Sequence, residues 1–226
     1  MAALSEAAAK LFLPNSVGQM YYQSDAQVIA ETLPIRQMSG GAFAACVEVL
    51  LKECKDIQVL LPQTYYPAPW VHESMQKTVK AAPPCLAIPI ILESDGLLGR
   101  SRHLTLLTVR KHEGKIETVE FFDSKGTSIA DNPEVQELVD KLGESSWILV
   151  ENGKRVQSYL DMVNCGGFVL DRIQQIVDGK GPCESAGSLG IARYRLGLAD
   201  QLAAKFAIPL PPIADDWELV EPCLPK

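Results

Sequence analysis

The sequence predicts an α+β fold, with a central, mostly antiparallel or mixed sheet and helices on its flanks. Three observations predict it. Strand-like runs cluster in the middle of the chain, between Leu86 and Val150. Helical patterns lie on both sides of that block, over Ala42–Lys55 before it and from Cys165 and Leu189 onward after it. The central runs are joined by short turns, which pair neighbouring strands as hairpins.

Residues 1–36 read as a variable leader, in which Ala2–Leu13 forms a short helix stopped by Pro14 and Asn15. Gly40 and Gly41 precede the Ala42–Lys55 helix, where Phe43, Cys46, Val47, Leu50 and Leu51 share one face. Ile57–Leu61 is a short strand closed by Pro62. Residues 62–84 are rich in proline and aromatics and read as a loop, or a loop with one helical turn, of the kind that serves as a substrate-binding insert. Leu86–Leu92 is a β-rich run whose Pro89 implies an edge position or a bulge. Glu93–Gly96 is a turn. His103–Arg110 and Ile116–Phe122 are strands joined by a hairpin turn at Lys111–Lys115. Ser124–Asn132 is loop, and Pro133 opens a helix that runs to Leu142. Trp147–Val150 is a fourth strand, broken by Asn152 and Gly153. Cys165 opens an amphipathic helix that ends near Gly179 and carries Phe168, Val169, Arg172, Ile173 and Ile176 on one face. Leu189–Phe206 is a closing helix, and Pro209–Lys226 a proline-rich, extended tail. The chain thus divides into a leader and recognition region (1–84), a catalytic core (85–208) and a tail (209–226).

Composition narrows the function. The 226 residues suffice for one large or two small domains, and a hydrophobic share of 47% can fill a core. A net charge of −7 without a basic face argues against nucleic acid as substrate. No apolar run approaches the length of a membrane span, and Met1–Glu6 lacks the basic start of a secretory signal. The six cysteines (Cys46, Cys54, Cys85, Cys165, Cys183 and Cys223) show no C-x-x-C pair and no zinc spacing. Reduced thiols in a cytoplasm are expected, with no metal and no cofactor.

The chemistry is concentrated between Ser101 and Leu170. Cys165 stands at a helix start, where the positive end of the dipole and free N–H groups favour a thiolate. Gly166 and Gly167 behind it let backbone approach a substrate carbonyl. Among the three histidines, His72 falls in the proline-rich segment and His112 in a hairpin turn. His103 opens a strand, so its ring can project at the end of the sheet. Asp123 ends the next strand, and pairing of the two strands brings it beside His103 although they are 20 residues apart. His103 would take the thiol proton, and Asp123 would orient the ring and steady the imidazolium. Gln157, eight residues before Cys165, can donate to a developing oxyanion together with the Cys165 N–H; Asn164 is the competing donor.

The order His103, Asp123, Gln157, Cys165-Gly166 resembles that of the clan CE cysteine proteases. That group includes the Ulp/SENP-type ubiquitin-like proteases, the adenovirus proteinase and bacterial effector deubiquitinases. The likeness runs from about Cys85 to Asp178, through Leu86–Leu92, His103–Val109, Phe121–Ser124 and Cys165–Leu170. Papain-like enzymes place the cysteine before the histidine, in the opposite order.

The resemblance implies a nucleophile at Cys165, a base at His103, an orienting acid at Asp123 and an oxyanion donor at Gln157. It implies cleavage after the Gly-Gly tail of ubiquitin or a ubiquitin-like protein such as SUMO or NEDD8, and a host cell as the place of action. Leu104 stands where the family usually has an aromatic, Asn164 where it usually has Asp, and the interval from Gln157 to Cys165 is longer than usual. Glu93 and Asp95 are candidates to meet a basic residue of the tail, and Tyr65, Tyr66 and Trp70 to form an apolar patch for the partner. An alternative is an acetyltransferase of the same clan acting from acetyl-CoA. Such enzymes usually carry Glu in place of Asp123 and need a basic inositol-phosphate site, whereas this chain offers only Lys154-Arg155 and Arg193 and Arg195. A binding module with an inert triad is the third possibility.

Overall fold

In the computed structural model the described residues are 24–64, 69–96, 99–142, 147–151, 154–180 and 187–210. In chain order the elements are α1 (Asp25–Thr32), α2 (Gly40–Leu50), β1 (Ile57–Val59), β2 (Gln63–Thr64), α3 (Pro69–Ala81), β3 (Cys85–Gly96), β4 (Gly99–His112) and β5 (Lys115–Phe122). A turn of 3₁₀ helix (Ile129–Asp131), α4 (Pro133–Asp140), β6 (Ile148–Glu151), α5 (Cys165–Val177) and α6 (Gly187–Phe206) complete them. The α+β class is as the sequence predicts.

The six strands form one mixed sheet in the order β1-β3-β4-β5-β6, with β2 also on β3. β3, β4 and β5 are antiparallel, whereas β1, β2 and β6 run parallel to their neighbours. Glu113 and Gly114 turn β4 into β5 with φ of 50° and 78°. Positive φ at both central residues gives a turn whose twist matches the strands it joins.

The sheet is covered on both faces, which is why 85–92 reads as a nearly continuous apolar run. Successive side chains alternate in direction. Cys85 and Ala87 therefore join a core with Val28 and Ile29 of α1, Phe43 of α2, Phe168 and Ile173 of α5 and Leu198 of α6. Leu86, Ile88 and Ile90 join the opposite core with Met75 and Val79 of α3 and Val135 and Leu138 of α4.

Four local expectations change. The proline-rich segment contains the 13-residue helix α3. Pro69 stands at its start, where a missing N–H costs nothing, and Met75, Val79 and Ala82 reach the core at helical spacing. Its far end is capped from outside: Lys111 of β4 donates to the carbonyls of Val79, at 2.8 Å, and Ala82. Pro89 lies neither at a sheet edge nor at a bulge. It sits opposite Leu106 in regular pairing, between the residues that bind β1 (85–87) and those that bind β2 (90–91). Its missing N–H falls in the gap between two short strands. Glu93–Gly96 continues β3 rather than turning. Residues 25–32, within the expected leader, form α1, capped by Ser24 accepting the Gln27 N–H and buried through Val28, Ile29 and Thr32. The expected helix at Ala2–Leu13, Tyr65 and Tyr66, the Trp70 side chain and residues beyond 210 lie outside what is described.

Candidate active site

Hairpin pairing carries Asp123 toward His103, which lies within β4 opposite Leu92 rather than opening the strand, because β3 and β4 go on pairing to Gly96 and Gly99. β4 and β5 pair out to Leu106 opposite Phe122, and Asp123 follows directly. His103 Nε2 lies 2.5 Å from Asp123 Oδ1, with both side chains buried. The aspartate is itself held. Its Oδ1 accepts the Lys125 N–H at 2.8 Å, and its Oδ2 accepts the Thr127 N–H at 3.2 Å and the Thr127 hydroxyl. Burial opposes its charge, but the His103 bond and these donors outweigh it and hold the carboxyl below the usual range.

Cys165 is the first residue of α5 and is buried. Burial disfavours its thiolate. The hydrogen bond with His103, the Leu104 N–H and the Gly166 N–H more than compensate, and the thiol pKa lies below its ordinary value. His103 shows the complement: burial disfavours the imidazolium, and the bonds to Asp123 and Cys165 raise its pKa regardless. With Nε2 given to Asp123, the other ring nitrogen serves the sulfur. The three groups together favour a thiolate–imidazolium pair backed by a carboxylate.

Gln157 is buried and tied at both ends of its amide. Oε1 accepts the Ser124 hydroxyl at 2.6 Å, and Nε2 donates to the Asp161 carbonyl at 2.6 Å. Its backbone N–H donates to the Ser124 carbonyl at 2.8 Å, so the Gln157 segment is pinned to the turn after Asp123. Gly126 allows that close approach, because at φ 75° a Cβ there would lie 2.6 Å from the Arg155 nitrogen. Asn164 is also buried, with Oδ1 accepting from Arg195 Nη1 at 2.8 Å.

The two glycines after Cys165 serve different ends. Gly166 lines the pocket, facing Met38. Gly167 answers to helix packing rather than to substrate: a Cβ there would lie 2.6 Å from Ile191 and 2.8 Å from Arg195 of α6.

The sulfur, His103 and Gly166 open onto a pocket of about 410 Å³. Met38, Phe43, Ile91 and Leu104 give it an apolar lining, and Gln37, Ser39, Glu31 and Arg102 polar edges. Glu93 Oε1 accepts from Arg102 Nε at 3.0 Å at this rim, and the Asp95 side chain lies outside what is described. His112 is exposed beside Glu113 and is the last residue of β4 rather than part of the turn. No group of three or more His, Cys, Asp or Glu side chains among the described residues is placed to hold a metal ion, and no helix among them is long and apolar enough to cross a membrane.

Sequence reasoning missed Thr127, the Leu104 N–H, the wall at 37–43 and Arg195. Only Arg195 left a signal. It interrupts the apolar stripe of Ile191, Leu198 and Leu202, a position a solvent-facing arginine would not occupy.

No protein-family model matches the chain, and no curated protein matches it in sequence. Solved structures do match in shape. The Legionella pneumophila effector protein RavZ aligns at TM-score 0.54 and 10% identity, over 75% of this chain and 65% of that one, so the chain spans just under two thirds of the RavZ structure. The C-terminal Ulp1 protease domain, solved in complex with Smt3, the yeast ortholog of SUMO, aligns at 0.52 and 13%, over 80% and 82%. The pS273R protease of ASFV aligns at 0.50 and 12%, over 74% and 69%. The chain therefore shares the fold of these three proteins, the α+β fold of the Ulp1 protease domain.

Proposed function

We propose that this chain is a cysteine-type peptidase that hydrolyses the peptide or isopeptide bond after the Gly-Gly tail of ubiquitin or a ubiquitin-like protein such as SUMO or NEDD8. The observation that carries it is the buried His103–Asp123 pair, with His103 and Cys165 lining the same open pocket. The likeness to the Ulp1 domain bound to a SUMO ortholog points to the class of partner.

In this mechanism the Cys165 thiolate attacks the carbonyl carbon of the last glycine. The Cys165 N–H and the Gln157 amide receive the oxyanion; Ser124 fixes which end of that amide carries the N–H groups, and one of the two is left beyond the bond to Asp161. His103 passes its proton to the departing amine, and the acyl group stays on sulfur as a thioester. His103 then takes a proton from water, whose oxygen attacks the thioester carbonyl. The glycine carboxylate leaves, and the thiolate–imidazolium pair is restored. Asp123 keeps the ring in register throughout.

The region before residue 84 acts in recognition, since Gln37–Gly40 and Phe43 wall the pocket. Tyr159, Leu160 and Met162 stand exposed between Gln157 and Cys165, where apolar side chains suit a protein substrate. Cys46, Cys54, Cys85 and Cys165 are free thiols, which suits a reducing cytoplasm, including that of a host cell.

The test is a panel of ubiquitin, NEDD8 and SUMO probes with a C-terminal electrophile. A covalent adduct with at least one, lost in Cys165→Ala, is expected. Absence of any adduct from protein whose Cys165 still alkylates readily with iodoacetamide would overturn the assigned substrate class.

A further inference from the structure

Arg195 lies in the middle of α6 with no exposed surface. A buried guanidinium is costly unless every donor is used. Here each of its nitrogens is bonded. Nε donates to the Thr32 carbonyl at 3.0 Å. Nη2 donates to the carbonyls of Glu31, Leu33 and Arg36 at 2.9, 2.7 and 2.8 Å. Nη1 donates to the Val163 carbonyl at 2.9 Å and to Asn164 Oδ1 at 2.8 Å.

The acceptors fall into two groups with different duties. Residues 31–36 close α1, where helical carbonyls lack partners, and lead directly into Gln37, Met38 and Ser39 of the pocket wall. Residues 163 and 164 are the last two before the nucleophile. One cation thus ties the wall of the pocket to the base of the nucleophile. Only a flat fork with several fixed donors reaches all of these acceptors; an ammonium has three donors on a single atom.

We infer that Arg195 is a positioning residue, in a role that rests on the peptidase reading: by clamping the turn before Cys165 to the pocket wall, it sets the sulfur against His103. It is not among the residues lining the pocket. Burial pulls its pKa down to about 10, which leaves it charged at neutral pH. The titratable groups that face Arg195 are Cys165 itself, Cys46 from α2 and Asp161 from the turn before Cys165; those around the sulfur are His103 from β4 with Asp123 behind it, and Glu31 and Arg102 at the pocket.

The experiment follows iodoacetamide alkylation of Cys165 against pH in the full-length protein, with the modified cysteine identified by mass spectrometry. Arg195→Lys keeps the charge and removes the fork. In the folded variant the acid midpoint is expected to rise by about one pH unit, with the rate below it about tenfold lower, as the sulfur drifts from its imidazolium. A residue that only stabilised the fold would lower the melting temperature and leave the midpoint in place, so an unmoved midpoint in a folded variant overturns the role. Should Arg195→Lys fail to fold, Asn164→Ala decides. It cuts the Nη1–Oδ1 link alone, and a smaller rise supports the role while no rise overturns it. No modifier is used in this assay, so failure of the substrate assignment would appear only with the probes.

Discussion

The two faces of one sheet are built from the same strands yet bury different things. Toward α3 and α4 the buried side chains are almost wholly apolar, from Met75 and Val79 through Leu107 and Val109 to Phe121 and Val135. Toward α1, α2, α5 and α6 the apolar core is interrupted. Glu120 meets Arg172 in a buried bidentate pair at 2.7 and 2.8 Å, and Arg195 holds its several acceptors. Cys165 stands at the head of α5, on this side of the sheet. An apolar core is held by area and tolerates exchange of shape. A buried polar network must be completely paired, so it admits one arrangement. The face that carries Cys165 is the one held by geometry.

The largest effect that would sharpen this contrast is at His103. His103→Ala should lower turnover of a modifier substrate about 10³- to 10⁴-fold with little change in melting temperature; full activity would place the base elsewhere. Asp123→Asn should act through pH. Because Cys165 is lowered and His103 raised, the ion pair is lost on the acid side as the thiolate gains a proton, and on the alkaline side as the imidazolium loses one. Without the carboxylate both displacements shrink, so the acid limb of kcat/KM should move up in pH and the alkaline limb down. In stability the signs differ. Asp123 contributes above its unfolded pKa, and that contribution is lost as pH falls through its lowered folded value. His103 contributes below its unfolded pKa, and that contribution is lost as pH rises through its raised folded value.

On the opposite face, Leu107→Ala should cost about 2–5 kcal/mol in chemical denaturation and leave the pH profile of the folded fraction unchanged. A shifted profile would break the separation of the two faces. Gly167→Ala should cost about 1–3 kcal/mol by pressing on Ile191 and Arg195. Pro89→Ala should cost a similar amount, about 1–3 kcal/mol, because it places a buried N–H where no strand partner waits to accept it.

Local signals carried far in this chain. The Ser24-x-x-Gln27 spacing was a legible helix start that announced α1, within a stretch read as leader. α3 was harder to read, because proline and aromatics masked its onset and its end is capped by Lys111, some 30 residues away. Pro89 looked like an edge because nothing local reveals that two short strands leave a gap opposite it.

By itself the sequence determined the middle of each longer strand, the Glu113-Gly114 turn, the helix at Cys165 and the approach of Asp123 to His103. Each depends on periodicity, turn chemistry or the pairing of adjacent strands, and so on near neighbours along the chain. The tertiary structure alone decided the rest: that Gly167 makes room for α6, that residues 37–43 wall the pocket, and that Arg195 reaches carbonyls as far as 164 positions away. A buried cation takes its partners from whatever backbone is left unpaired around it, and that is known only once every element has packed.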